Sequence, residues 1–188
     1  MLCNTHYEVV KEAGKGFLEF HLTKRDKSDW DISWSDGPLG INQLKEMNFN
    51  QRTNHLPGIY NLAKKNMLGR HLMKIKKLLP DDYNFFPQTY MLPHDYREFY
   101  EDGISQRYPS TYIVKPEDSC QGKGIFLIKG IDQIKPNDQC VVQKYLTKPH
   151  LVDGFKYDLR IYVFVNGINP LRIYVYNDGL ARFATEKY

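Results

Sequence analysis

Along Gly154–Val165, GFKYDLRIYVFV, the residues Phe155, Tyr157, Leu159, Ile161 and Val163 alternate with Lys156, Asp158 and Arg160. A period of two is that of a β-strand, with apolar side chains on one face and charged ones on the other. In YVFV, the last four residues, both faces turn apolar, so the far end of this strand is expected to be buried. A lysine, an aspartate and an arginine then stand in one row at the mouth of a core.

The same reading organises the rest of the chain. A short helix is predicted around Tyr7–Glu12, a strand over GFLEFHLT (16–23), and a polar loop KRDKSDWDISWSDGP (24–38) around a short strand Trp30–Trp34. After Pro57 and Gly58, apolar Ile59, Leu62, Ala63, Met67, Leu72, Ile75 and Leu79 recur at helical spacing and predict an amphipathic helix ending at Pro80. FFPQTYMLP (85–93) reads as a short strand and HDYREFYED (94–102) as a short helix. STYIVKP, IFLIKG and QCVVQKYL read as further strands, the first stopped by Pro116. At the C-terminal end, strands Phe155–Val165, Leu171–Tyr176 and Leu180–Thr185 are separated by NG (166–167) and NDG (177–179), which predicts an antiparallel meander. The class is α+β, with helices early and sheet late.

Composition narrows the partners. With 188 residues, 41% of them hydrophobic and 26% charged, the chain is long enough to bury a core. Cys3, Cys120 and Cys140 are too few and scattered for a disulfide framework or a zinc site, and the six histidines show no metal spacing. No segment resembles a signal peptide or reaches the length of a membrane span, so a cytoplasmic protein with no membrane partner is expected. The net charge of +4 is uneven: Arg52, Lys64, Lys65, Arg70, Lys74, Lys76 and Lys77 lie between Met47 and Pro80 with no acidic residue among them. Such a run is a solvated helix face or a surface for an acidic partner. No nucleic-acid module accompanies it, and a nucleic-acid partner is not expected.

KPEDSCQGKGIFLI sets Lys115 at a strand end, then Gly122-Lys123-Gly124, then another strand. Glycines between strands let backbone amides approach phosphate, though a hairpin turn uses the same residues. The spacing is not that of a P-loop, and no H-R-D or D-F-G follows as a kinase would need. Lys115, this loop, VVQKYL, the Lys156-Asp158-Arg160 row and Arg182 come in an order that resembles ATP-grasp ligases. NHLPG, FFPQTYMLP, KPEDSCQGKGIFLI, VVQKYLTKPHLVDGFKYDLRIYVFV and PLRIYVYNDGLARFATEKY closely resemble the tubulin tyrosine ligase-like family, from about Trp30 onward. SCQGKGI and GFKYDLRIYV look most like its glutamate-adding members.

The resemblance implies an ATP-grasp-like fold, with nucleotide between two mainly antiparallel sheets and the C-terminal part incomplete. It divides the chain into an N-terminal domain with the basic helical segment (1–83), a central domain with glycine loop and adenine hinge (84–146), and the start of a C-terminal domain (147–188). It assigns Lys115, Gln121, Gly122, Lys156 and Asp158 to the nucleotide, and Gln143, Lys144, Tyr145 and Leu146 to the adenine hinge. Lys156, Asp158 and Arg160 are the expected catalytic row, Lys123 would touch the protein substrate, and Arg182 would clamp the carboxylate of the incoming amino acid. The implied activity is ATP-dependent addition of free glutamate to glutamate side chains of tubulin tails, by a monomer on the cytoskeleton, with cilium or basal body as further locations. Glycine or tyrosine addition and an inactive microtubule-binding adaptor are the alternatives. ATP and Mg²⁺ are the expected cofactors. The family's metal-binding carboxylates and asparagine follow the stretch matching LARFATEKY, so metal ligands are expected beyond residue 188, none is assigned within the chain, and a fragment with weak nucleotide binding and an unfinished core is expected.

Overall fold

The computed structural model describes residues 1–23, 29–116 and 123–188. The chain forms two compact units, Met1–Tyr60 and Asn61–Tyr188. The expected division at 83/84 and 146/147 is a different partition, which we keep as a proposal about the enzyme's domains.

The first unit is built on a small parallel sheet of β1 (Leu2–Asn4), β2 (Ile32–Ser35) and β3 (Arg52–Thr53), in that order. Helix α1 (Glu8–Glu12) matches the expected helix, and α2 (Ile41–Glu46) and β1 are elements the hydrophobic pattern left unassigned. The strand expected over 16–23 does not form. A π-helical turn, Ala13–Phe17, takes its place, and the Phe20 amide returns to the Gly14 carbonyl at 2.8 Å. Gly14 is buried with Leu22 closing over it, and Glu19 takes φ +53, which breaks any extended run. Of that stretch only Thr23 bridges to β1, at Leu2. The loop expected over 24–38 falls partly outside the described residues, at 24–28.

The second unit holds the larger core. The expected long helix is two, α3 (Tyr60–Ala63) and α4 (Lys65–Leu78), because Lys64 takes extended angles, φ −84 and ψ 127. Four antiparallel strands follow, β4 (Thr89–Leu92), β5 (Thr111–Pro116), β6 (Phe126–Lys129) and β7 (Cys140–Lys144), in the order β4-β7-β5-β6, with α5 (Tyr96–Ser105) between β4 and β5 in the chain. Alternation gives this sheet two distinct faces. Tyr90, Leu92, Tyr112, Val114, Ile128, Cys140 and Val142 form one, and they enclose Phe99 of α5 completely. Phe99 meets Tyr90 and Tyr112 edge-on at ring distances of 5.3 and 5.2 Å, and Tyr90 Oη donates to Asp102 at 2.5 Å. The other face carries Thr89, Met91, Ile113, Lys115, Val141 and Gln143. Helix α4 covers part of it, with Gly69 allowing close approach: an added Cβ would lie 3.1 Å from Met91 Sδ.

The C-terminal meander is a single long hairpin. Strand β9 (Phe155–Ile168) pairs with β10 (Leu171–Lys187), and the two-residue β8 (Leu151–Val152) flanks β9. The expected turn at NDG is a bulge, since three residues of β10 stand between Val175 and Gly179 against one of β9 between Val163 and Ile161. Glycine is required at 179, where a Cβ would lie 2.4 Å from the Arg160 carbonyl oxygen. The far end of β9 is exposed rather than buried: Phe164 is 63% and Val163 55% accessible. Among the described residues no further layer covers either face of this ribbon, whose contacts are within itself, with β8 and at its base.

The two regions therefore differ in what a truncation removes. Phe99→Ala should cost about 3–5 kcal/mol in urea unfolding, as enclosed aromatics do. Leu159→Ala, at a 62% exposed position, should change stability by no more than about 0.5 kcal/mol.

Candidate functional site

The α4 face of the central sheet carries a row of polar side chains. Register places Thr89 opposite Gln143, and Gln143 opposite Ile113, so Lys115 lies one diagonal step from Gln143 on the same face. Lys115 Nζ donates to Gln143 Oε1 at 2.8 Å. Gln143 Nε2 donates to Thr89 Oγ1 at 2.8 Å, and that hydroxyl donates to the Pro87 carbonyl at 2.9 Å. The glutamine amide is thus fixed at both ends, with its oxygen toward the lysine.

Beyond β7 the chain continues through Tyr145 and Leu146. The amides of Lys144 and Tyr145 bond to the carbonyls of Gln88 and Thr111, each at 2.9 Å, while that of Leu146 makes no bond to a described residue. Lys156, from the first turn of the hairpin, reaches back to this segment and donates to Tyr145 Oη at 2.8 Å. Its ammonium also lies 4.8 Å from the Tyr145 ring centre. These residues enclose a cleft of about 310 Å³, lined by Lys115, Gln143, Lys144, Tyr145, Leu146 and Lys156, with Pro87, Ile113 and Pro149 as apolar wall.

Lys115 and Lys156 each bring an ammonium group to this cleft, and among the described residues neither is paired to a carboxylate. An amide oxygen holds one and a phenol the other, and neither partner cancels positive charge. Burial first, and then the neighbouring Lys65 at the start of α4, hold the Lys115 ammonium below lysine's ordinary 10.5. Lys156 first, and then Tyr188, pull the Tyr145 phenol below its ordinary 10.0. A half-buried cation without a counter-charge is costly for a fold and suited to an anionic ligand.

The rest of the expected row separates. Asp158 stands directly opposite Arg182 in the hairpin register, and the pair is bidentate: Arg182 Nε and an Nη donate to the two carboxylate oxygens at 2.9 and 2.8 Å. The guanidinium holds the Asp158 carboxyl below its ordinary 3.8. These two line an adjoining groove of about 390 Å³ with Lys156, Tyr157, Phe183 and Ala184. Arg160 lies further out on the same face of β9, opposite Leu180, and bonds to no described residue. Lys123 is exposed in the turn before β6. Gln121, Gly122 and Cys120 lie outside the described residues.

Thr89, Lys65 and Tyr188 have a place here that sequence reasoning gave to none of them. Thr89 sits inside FFPQTYMLP, which marked the resemblance without a role for each residue. Lys65 is one of several cations in the basic run, and spacing does not say which one turns inward. Among the described residues no three Asp, Glu, His or Cys side chains converge, and the Asp158 carboxylate is taken by Arg182.

The chain has relatives among known proteins. The chain is 49% identical over 191 residues to a probable beta-tubulin polyglutamylase of Tetrahymena thermophila, covering all of this chain and 16% of that protein. It is 40% identical over 188 residues to the tubulin polyglutamylase TTLL6 of Mus musculus, again over all of this chain and 22% of that protein. With human TTLL7, also a tubulin polyglutamylase, identity is 35% over 192 residues, covering this whole chain and 21% of that protein. The chain thus spans about a fifth of the length of these relatives. Among solved structures, the C-terminal domain of Pby1 from K. lactis, an ATP-grasp enzyme interacting with the mRNA decapping enzyme Dcp2, matches with a TM-score of 0.67. That match covers all of this chain and 59% of that one at 21% identity, and it supports the ATP-grasp fold expected from the sequence.

The Lys115 chain has a signature in stability. A base whose folded pKa is depressed binds fewer protons than in the unfolded chain, so stability rises with pH between the folded pKa and 10.5. In chemical denaturation across that interval, Lys115→Met should flatten the rise relative to wild type. Lys65→Met should move its onset closer to 10.5, and identical slopes in all three proteins would mean that neither lysine feels the other.

Residues 42–188 match the profile of the tubulin-tyrosine ligase family, and the chain belongs to that family.

Proposed function

We propose that the cleft between the central sheet and the base of the hairpin binds ATP, in an enzyme that adds glutamate to glutamate side chains of tubulin tails. The observation that carries this reading is the pair of lysines held, among the described residues, by neutral acceptors in a cleft with apolar walls. Apolar walls suit a purine ring. The Leu146 amide, left open beside the two engaged ones, suits a ring nitrogen at the adenine edge. Lys115 and Lys156 suit phosphate oxygens, and Gln121 and Gly122 belong to the loop we assign to folding over them. The names of the relatives, tubulin polyglutamylases in all three cases above, support the choice of glutamate and of tubulin.

A carboxylate is a poor electrophile and does not react with an amine at useful rates. Transfer of the γ-phosphoryl group of ATP to a substrate glutamate gives an acyl-phosphate and ADP. Attack by the amino group of free glutamate then forms an isopeptide bond, with inorganic phosphate leaving and the amine proton going to solvent or a base. The role we assign to Lys115, Lys156 and Arg160 is to face the charge that develops during transfer. Arg182 is assigned to the carboxylate of the incoming glutamate, Asp158 to the nucleotide and Lys123 to the protein substrate. On this reading the Asp158–Arg182 pair gives way when a substrate carboxylate enters. Labelled glutamate, glycine and tyrosine should be offered in parallel, with Mg-ATP and tubulin, to the protein that carries this chain. Glutamate alone should be incorporated, and Lys156→Met should reduce that at least about a hundredfold. Incorporation of glycine or tyrosine instead would correct the amino acid, and microtubule binding without any incorporation would overturn the ligase.

The basic helix suits an acidic tail. Arg70, Lys74 and Lys77 lie at i, i+4 and i+7 on the exposed side of α4. Lys77 is engaged by Glu98 at 3.1 Å, and Lys76 donates to the Phe86 carbonyl at 3.3 Å, whereas the side chains of Arg70 and Lys74 bond to no described residue. The double reversal Arg70→Glu and Lys74→Glu should weaken microtubule co-sedimentation about tenfold at low salt, with the difference shrinking as salt is raised. Unchanged binding would remove α4 from the tubulin surface.

A further inference from the structure

The first turn of the hairpin and its last residue meet over the cleft. Gly154, at φ +84, accepts the Tyr188 amide at 3.0 Å, which sets Tyr188 across from a residue two before Lys156. A diagonal step on the same face brings the Tyr188 ring to the Lys156 ammonium, 5.5 Å from the ring centre. The Tyr188 hydroxyl points between two acceptors, Tyr145 Oη at 3.3 Å and the Thr147 carbonyl at 3.5 Å. Lys156 therefore stands between two aromatic rings, with Tyr145 accepting from both the lysine and the second tyrosine.

We propose that Tyr188 is a positioning residue for the nucleotide cleft, which holds Tyr145 and Lys156 so that the ammonium stands ready for the anionic part of the ligand. The inference rests on the nucleotide reading for its ligand, while the contact itself can be read without one. Lysine has four rotatable bonds and a strong preference for water, so an exposed ammonium wanders unless something fixes it. Two rings and a phenolic oxygen do so here without neutralising the charge, as a carboxylate would. Tyr188 is not among the residues that line the cleft, and it contacts Tyr145 and Lys156, so its effect passes through those two.

Two measurements test this. In titration calorimetry with Mg-ATP and with adenosine, Tyr188→Phe should weaken ATP roughly three- to tenfold and leave adenosine within about twofold. The same substitution in a Lys156→Met background should have no further effect. Unchanged ATP affinity, an equal loss for adenosine, or an undiminished loss without Lys156 would each overturn the proposal. The second measurement needs no ligand: tyrosine labelled with ¹³C at Cζ, followed by NMR through alkaline pH, with Tyr145 assigned by its loss in Tyr145→Phe. The Tyr188 hydroxyl favours the Tyr145 phenolate, so Tyr188→Phe should raise the Tyr145 titration toward 10.0. A Tyr145 titration unmoved by the substitution would refute the positioning role whether or not ATP binds. Absence of ATP binding by wild type would instead refute the nucleotide reading, with the NMR result still deciding whether Tyr188 holds the cluster.

Discussion

The hydrogen-bonded chain from Lys115 through Gln143 and Thr89 to the Pro87 carbonyl is what the site depends on. It exists because three antiparallel strands bring residues 26 or more positions apart into one row. It also exists because alternation turns their neighbours, Val114, Val142 and Tyr90, into the core. The aromatic packing around Phe99 and the polar row are two faces of the same sheet. A slip of one residue in β7 would exchange them, putting Gln143 among apolar side chains and Val142 in the cleft. The core on one side is what holds the register that the site on the other side needs.

Neutral tethers give the cleft its character. A carboxylate beside Lys115 would stabilise the ammonium more than an amide oxygen does, but it would also compete with any anion that enters. The depressed pKa of Lys115 fits that arrangement: burial and Lys65 both act against the charged form, and among the described residues no ionised group relieves them. Strain of this kind at a site is offset elsewhere, here by the enclosed hydrophobic cluster. The hairpin follows the opposite arrangement. Asp158 and Arg182 satisfy each other fully across β9 and β10, so the charges that most resemble a binding constellation in sequence are, in this structure, each other's ligand.

The bulge at Val175–Gly179 has a related consequence. By absorbing the NDG segment it lets β10 continue, through a second register shift between Phe183 and Lys187, so that the end of the strand returns to Gly154 and Tyr188 reaches the cleft. A turn at NDG, as the local signal suggested, would have sent the third strand away from Lys156. Local turn chemistry was overridden because the close approach of Gly179 to the Arg160 carbonyl accommodates the extra residues within the ladder.

The sequence by itself determined a good deal. Periodicity located α5 and the strands β4, β5, β6, β7 and β9 to within a few residues, and the long contiguous motifs identified the family. Of the residues that the resemblance assigns to the nucleotide, Lys115, Gln143, Lys144, Tyr145, Leu146 and Lys156 line one cleft, Asp158 lines the adjoining groove, and Gln121 and Gly122 lie outside the described residues. Periodicity failed over 16–23, where a buried glycine and a left-handed Glu19 fold the chain back. It also left β1 and α2 unassigned, because such short elements carry too few residues for a pattern to show. What only the tertiary structure decided is which partner each charge takes. A strand pattern states that Lys156, Asp158 and Arg160 share a face. It is silent on the fact that the first turns to a tyrosine 11 residues back and the second to an arginine 24 residues ahead. Those choices depend on register and on the meeting of separate segments, which no local spacing encodes.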